Sequence, residues 1–331
     1  MAETIPFTFH AFCEPEPGPR WRAFFEAAWP VYRQWYLKEG DAARPSYVTA
    51  RRMLRTCMPE LVGVYDRLVD LAGGGDVAAR MLSLYRPPPY LSGCSQAAIA
   101  SPEPVLVRNY DYAPSRFEGV VQSTAWGRHR VIGMSDCLWG LLDGMNDAGL
   151  VVSLTFGGRR VLGDGFGIPV VVRYLLETCS TVAEARVALG KVPVNLAHNL
   201  TLVDLAGEAA TALVSPDRPP VWRSQAVATN HQGDVEWEEH ARFTRTVERE
   251  REAAALIADP STTPERLVEA FMEPPLFSTE YSRGFGTLYT AEYRPAAGTV
   301  SYHWPGSTWT QSFDHFREGT HAAAFREPAA A

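Results

Sequence analysis

The chain has 331 residues, with 38 acidic and 31 basic side chains for a net charge of −7, and 46% of its residues are hydrophobic. This composition is that of a folded protein with a sizeable core and excludes wholesale disorder. The acidic excess excludes a general basic surface for nucleic acid or an anionic bilayer, so the expected ligand is a small molecule. The first twenty residues have no basic, apolar leader, and no apolar run reaches the roughly 18 residues of a membrane span. A cytoplasmic protein without membrane contact is the expectation.

Residues 18–85 carry apolar side chains every three to four positions and read as helical, with Pro30, Pro45, Pro59 and Gly73–Gly75 cutting the stretch into short helices. Arg86-Pro87-Pro88-Pro89-Tyr90 ends the helical pattern, because a proline run favours extended backbone. From residue 96 to 158 the texture turns to short Val/Ile/Leu/Thr runs divided by turn residues, and Asn146-Asp147-Ala148-Gly149 reads as a hairpin connection. Helical periodicity returns over 168–190, where Ser180-Thr181-Val182-Ala183-Glu184 matches a capped start. Residues 196–215 and 226–232 are strand-like, 239–271 form a charged helical stretch, and 287–307 read as a closing β-hairpin. The tail from His321 is expected to be loose. Strand and helix blocks in this order predict an α+β layered architecture rather than alternating parallel units.

The five cysteines, Cys13, Cys57, Cys94, Cys137 and Cys179, stand at wide spacings without a CxxC pair, so neither a disulfide framework nor a zinc site is expected. The histidines show no HExxH spacing, and no metal or cofactor is expected. Cys94, in Ser92-Gly93-Cys94-Ser95, is the candidate nucleophile because it lies where the helical prefix meets the first β run. Gly93 before it permits backbone geometry in which the thiol approaches its own upstream carbonyl. Arg108 and Asp111, in Arg108-Asn109-Tyr110-Asp111, supply a cation to steady a thiolate and a carboxylate to orient an amine.

Gly93-Cys94-Ser95, Arg108-Asn109-Tyr110-Asp111, Met145-Asn146-Asp147-Ala148-Gly149-Leu150, Thr229-Asn230 and Arg242-Phe243, in this order, resemble the choloylglycine hydrolase and penicillin (isopenicillin N) acyltransferase branch of the N-terminal nucleophile hydrolases. Pro59-Glu60-Leu61 in the prefix resembles the acyltransferase pro-segment. The resemblance implies a four-layer αββα sandwich, two antiparallel sheets between helical layers. It also implies a precursor that cuts itself between Gly93 and Cys94, giving a pro-segment of residues 1–93 that stays associated with a catalytic chain of residues 94–331. An α-amine ionises near pH 8 (about 7.7–8.0), so the new amino group can act as base for its own thiol.

On this resemblance Cys94 is nucleophile and base, Asp111 binds its amine, Arg108 steadies the thiolate, Asn230 donates to the oxyanion, and Arg242 completes the cluster around Asp111. Thr155 stands where bile-salt hydrolases carry Asn and penicillin V acylases Tyr as the second oxyanion donor, a departure that argues against either specificity. Tyr112, Phe117, Phe156 and Phe166 are the candidate substrate-binding side chains, with Gly157–Gly167 as a mobile loop at the mouth.

The expected activity is that of a self-activated cysteine amidohydrolase or N-acyltransferase working on a linear amide or acyl-thioester, with acyl-CoA a compatible substrate by family analogy. Two alternatives stay open: an uncut thiol hydrolase pairing Cys94 with His231, and a silent binding protein of the same fold. A homo-oligomer is compatible with the sequence.

Overall fold

The computed structural model describes residues 4–327. In Thr4–Glu14 (β1) the exposed residues Thr4, Pro6, Thr8 and His10 alternate with Ile5, Phe7, Phe9 and Ala11, a period of two that buries one face of a strand. Four helices follow, α1 (Pro19–Tyr36), α2 (Tyr47–Cys57), α3 (Val62–Leu71) and α4 (Asp76–Leu82). Pro45, Pro59 and the glycine run lie between helices, but Pro30 sits inside α1. The stacked rings Trp21, Phe25 and Trp29, at 5.3 and 5.2 Å, supply packing that carries α1 through that missing N–H.

After the proline run come β2 (Gly93–Ile99), β3 (Val105–Tyr112), β4 (Val120–Thr124), β5 (Val131–Asp136), β6 (Gly140–Asn146) and β7 (Val151–Phe156). The β6–β7 connection is the hairpin read from the sequence, with Gly149 at φ 87°. Next are α5 (Ile168–Thr178) and α6 (Val182–Leu189); at the start of α6 the Thr181 hydroxyl accepts from the Glu184 N–H at 3.2 Å. Strands β8 (His198–Val203), β9 (Ala209–Ser215), β10 (Arg218–Arg223) and β11 (Val227–Ala228) precede α7 (Glu238–Thr244), α8 (Thr246–Ala258) and α9 (Pro264–Phe271). The chain ends with β12 (Thr279–Glu280), β13 (Phe285–Arg294), β14 (Thr299–Trp304), β15 (Ser307–Ser312) and β16 (Gly319–Arg326).

Nine strands form one sheet in the order β10-β9-β8-β7-β6-β5-β4-β1-β16, and seven form the other, β11-β2-β3-β13-β14-β15 with β12 on β13. Pairing is antiparallel except between β1 and β4. The sheets face each other through β2 against β7 and β8, while α5 covers the outside of β6 and β7, and α8 and α9 cover β2 and β3. This is an α+β fold of layered helix, sheet, sheet and helix. Gly140 shows how closely the layers approach: a Cβ there would lie 2.4 Å from the Pro169 side chain of α5.

The expectation of a loose tail is corrected over residues 321–326, which form part of β16 and pair with β1 from Thr4↔Arg326 to Ala11↔Gly319. The hydrogen-bonding edge of β1 is otherwise open on that side, and Phe325 packs on Tyr281 and Phe7, so pairing and burial together hold the segment. Residues 328–331 lie outside the described residues. The prefix and the rest of the chain share one core, in which Phe9, Trp21, Leu54 and Leu68 join Leu142, Leu175 and Cys94. Trp21 Nε1 donates to Leu138 O at 3.0 Å, and Trp139 Nε1 donates to Leu82 O at 2.8 Å.

Candidate active site around Cys94

Cys94 is the second residue of β2, and its side chain is fully buried between the sheets. Gly93 before it has no room for a side chain: an added Cβ would stand 1.9 Å from the Phe285 ring. Cys94 pairs with Tyr110 of β3, so Arg108, two residues away and on the same face, reaches the thiol. Arg108 Nη2 donates to Cys94 Sγ at 3.0 Å, and the Ser92 hydroxyl lies 3.9 Å from the same sulfur. Burial pushes the thiol above its ordinary range; Arg108 pulls in the opposite direction and Asp111 adds to the rise.

The other polar groups converge on the main chain of Cys94. Its N–H donates to Asn230 Oδ1 at 3.2 Å, and its carbonyl accepts from Arg249 Nη1 at 2.8 Å. Arg249 also donates to Asn230 Oδ1 at 2.7 Å, to the Ser95 hydroxyl at 2.8 Å and to Asp111 Oδ2 at 3.1 Å. The second Asp111 oxygen accepts from the Thr287 hydroxyl at 2.7 Å. Burial raises Asp111 and lowers Arg249, each opposing the other's shift. Direct contact and the Thr287 donor favour the ionised pair. Asn230 Nδ2 donates to the carbonyls of Ser92 at 3.4 Å and Phe156 at 3.2 Å, which places an amide donor beside the segment leading into Gly93.

Cys94, Arg108, Asp111 and Asn230 thus meet in one cluster, but Arg242 does not join it. It lies exposed on α7, while the cation beside Asp111 is Arg249, seven residues on, on α8. Between the two helices Arg245 adopts a left-handed conformation at φ 51°, which redirects the chain and turns Arg249 inward. The buried face of α8, Thr246, Arg249 and Ala253, has the three- to four-residue spacing that could have found it. Thr155 is buried on β7, where its hydroxyl donates to Thr229 O at 2.7 Å and accepts from Asn199 Nδ2 at 3.1 Å. It therefore props the Thr229-Asn230 backbone.

Of the four aromatic side chains, Phe156 lines a cavity of about 250 Å³ with Pro89, Leu91, Leu162, Leu196 and Trp237, rimmed by Arg159 and Arg160. Phe117 stacks with Phe7 and Tyr289 and touches Tyr110, one layer behind Cys94, and Tyr112 is half-buried beside Tyr110. Phe166 is corrected from pocket to core: it is fully buried against Tyr85, and bridges to Tyr85 and Val194 tie down the glycine-rich segment that read as a loop. Its aromatic ring finds more apolar surface beneath the prefix than at the mouth. His231 bonds Thr246 at 2.9 Å and Glu250 at 2.8 Å, and among the described residues no imidazole contacts the Cys94 thiol. Asp143 of β6 went unnoticed in the sequence. It is fully buried and accepts from Arg108 Nη1 at 2.5 Å.

Facing sheets between helical layers, with a cysteine at the head of an inner strand, place the protein among the N-terminal nucleophile hydrolases. The family model described as acyl-coenzyme A:6-aminopenicillanic acid acyl-transferase matches residues 100–309, and the chain belongs to that family. The family is one of acyl-transferring enzymes. Among solved structures it is similar to a mutant of the conjugated bile acid hydrolase from Clostridium perfringens, at 13% identity over 71% of this chain and 97% of that one, with a TM-score of 0.47. It is also similar to the penicillin V acylase from Agrobacterium tumefaciens, at 14% identity over 67% and 78% of the two chains, with a TM-score of 0.42. A third is the Caenorhabditis elegans ortholog of N-acylethanolamine-hydrolyzing acid amidase, at 15% identity over 69% and 98%, with a TM-score of 0.43. A search of curated proteins gives no match. Among the described residues no helix is long and apolar enough to cross a membrane.

Proposed function

We propose that the protein is a self-activating cysteine amidohydrolase or N-acyltransferase that carries its acyl group as a thioester on Cys94. The observation that carries this reading is that Asn230 and Arg249 hold the main-chain N–H and C=O of Cys94, while no imidazole touches its thiol. A thiol hydrolase built on a Cys–His pair needs the base beside the sulfur, whereas an N-terminal nucleophile needs its own amino group anchored.

In the first step the Cys94 sulfur attacks the Gly93 carbonyl carbon. The C–N bond to Cys94 breaks, its nitrogen takes up the proton, and the acyl group of residues 1–93 passes to sulfur. Water then hydrolyses that thioester, leaving a Gly93 carboxylate and a free Cys94 amine. Gly93 fits this step because its carbonyl must come within reach of the thiol, and the Phe285 ring excludes any larger residue. In turnover the neutral amine takes the thiol proton, the thiolate attacks the substrate carbonyl, and Asn230 Nδ2 donates to the developing oxyanion. Removing one such donor typically costs about 3–4 kcal/mol in the transition state. Asp111 and Arg249 keep the amine placed. The cavity edged by Phe156 and Leu91 receives an apolar acyl group, and water or an amine resolves the thioester.

Intact mass of freshly expressed protein tests the reading against Cys94→Ala. Wild type is expected as two chains, residues 1–93 and 94–331, and the variant as one uncut chain. A wild-type preparation that hydrolyses amides as one uncut chain overturns it.

A further inference from the structure

Arg108 is fully buried, and its two terminal nitrogens do different things. Nη2 faces the Cys94 sulfur, whereas Nη1 donates to Asp143 Oδ2 at 2.5 Å and to Leu142 O at 3.1 Å. Asp143 belongs to β6 of the nine-stranded sheet, and Arg108 to β3 of the other, so the contact bridges the two sheets. The carboxylate is held in turn by two phenols of β13: Tyr289 OH donates to Oδ2 at 2.5 Å, and Tyr293 OH donates to Oδ1. The rings of Tyr110 and Tyr289 lie 5.0 and 5.7 Å from the guanidinium carbon, which fixes its plane.

We infer that Asp143 is a positioning residue of the Cys94 site: it aims the Arg108 guanidinium at the thiol and offsets its charge, so that the sulfur is presented to a buried, nearly neutral ion pair. This deepens the reading of Cys94 as nucleophile and rests on it. An arginine without its carboxylate would be a net cation against the sulfur and would hold the thiolate too firmly to attack well, since nucleophilicity falls as the thiolate is stabilised. An arginine without the aim of Asp143 would leave the sulfur without its donor. The groups facing Cys94 are Arg108, Asp111 and Tyr110 from β3, Arg249 from α8, Asp143 from β6 behind Arg108, and Tyr289 from β13. Of these, Asp143 and Asp111 are the carboxylates, and Asp111 is already matched by Arg249.

The test is the ionisation of Cys94 read from its Cβ carbon resonance in full-length protein labelled with [3-13C]cysteine, assigned by loss of the signal in Cys94→Ser. Cut and uncut chains give separate Cys94 signals, whose proportions the intact mass supplies. Asp143→Asn is expected to lower the midpoint by about one pH unit or more, tenfold in the ionisation constant, and Asp143→Glu to restore it. An unchanged midpoint in Asp143→Asn overturns the role. If that variant does not fold, Tyr293→Phe replaces it: losing a donor leaves the carboxylate more of its charge and moves the midpoint upward, and no upward shift overturns the role. The midpoint can be read whether or not the chain is cut. Absence of cutting alone defeats the proposed activity, and an unmoved midpoint alone defeats the role of Asp143.

Discussion

Two buried arginines invite comparison, Arg108 between the sheets and Arg173 beneath α5. Both are fully buried and both pair with a fully buried carboxylate, Asp143 for the first and Glu177 for the second. Arg173 spends its remaining donors on Gln122, Thr124 and the Trp139 carbonyl, all of them neutral scaffold groups. Arg108 instead keeps one donor on a thiol. Burial works against both charges, but at Arg108 it is outweighed by Tyr289, Cys94 and Asp143, which hold the guanidinium well above its ordinary value. At Arg173 burial prevails over Glu177 and the shift is downward. A buried ion pair is thus no mark of a reactive site; a donor left facing a nucleophile is.

The contrast is broken most directly by exchanging charge for packing. Arg173→Met alone should cost about 3–5 kcal/mol in urea unfolding, because Glu177 is left buried and unpaired. The double variant Arg173→Met/Glu177→Leu should recover most of that loss and keep self-cleavage. Arg249→Met should cost a similar amount, but adding Asp111→Asn should restore stability without restoring cleavage, since the Cys94 carbonyl has lost its donor. Recovery of cleavage in that double variant would erase the difference between the clusters.

A smaller effect concerns the carboxyl pair Glu118 and Asp136. Burial first, together with mutual repulsion, raises Glu118 to about 7, and burial raises Asp136 to about 6. A carboxyl raised on folding binds more protons in the native state, so its contribution is present below its unfolded value near 4 and is lost as pH rises through about 7. Glu118→Gln should therefore raise the melting temperature at pH 8 by about 2–4 °C and leave it unchanged at pH 4; the reverse pattern in calorimetry refutes the assignment. Thr155→Val should cost about 1–2 kcal/mol, because the Thr229 carbonyl loses one of its two donors and keeps Asn199 Nδ2. Arg242→Ala, on the exposed face of α7, should stay within about 0.5 kcal/mol and leave cleavage intact. Loss of cleavage there would return Arg242 to the site in place of Arg249.

The ordered short motifs made Cys94, Arg108, Asp111 and Asn230 legible because each sits in or beside a strand, where neighbours in sequence keep a fixed relation in space. Arg249 was legible only as a member of the Thr246, Arg249, Ala253 spacing, and its meeting with Asp111 depends on a left-handed residue between α7 and α8 that sets which face of the helical stretch turns inward. Asp143 was hidden for a different reason: inside an apolar strand a lone Asp carries no local signature, and its partners come from β3 and β13 of the opposite sheet. The alternation in Thr4–Glu14 was present in the sequence, but only β16, more than three hundred residues on, gives that strand its second edge.

By itself the sequence determined the layered α+β class, the break at the proline run, the glycine-cysteine step and the family to which they belong, because all of these rest on local backbone preference and on motif order. Tertiary structure alone decided which arginine meets Asp111, which carboxylate faces Arg108, and that Phe166 is core and Thr155 a prop. Those are contacts between elements distant in the chain, and burial, which sets their strength, exists only once the two sheets have closed on each other.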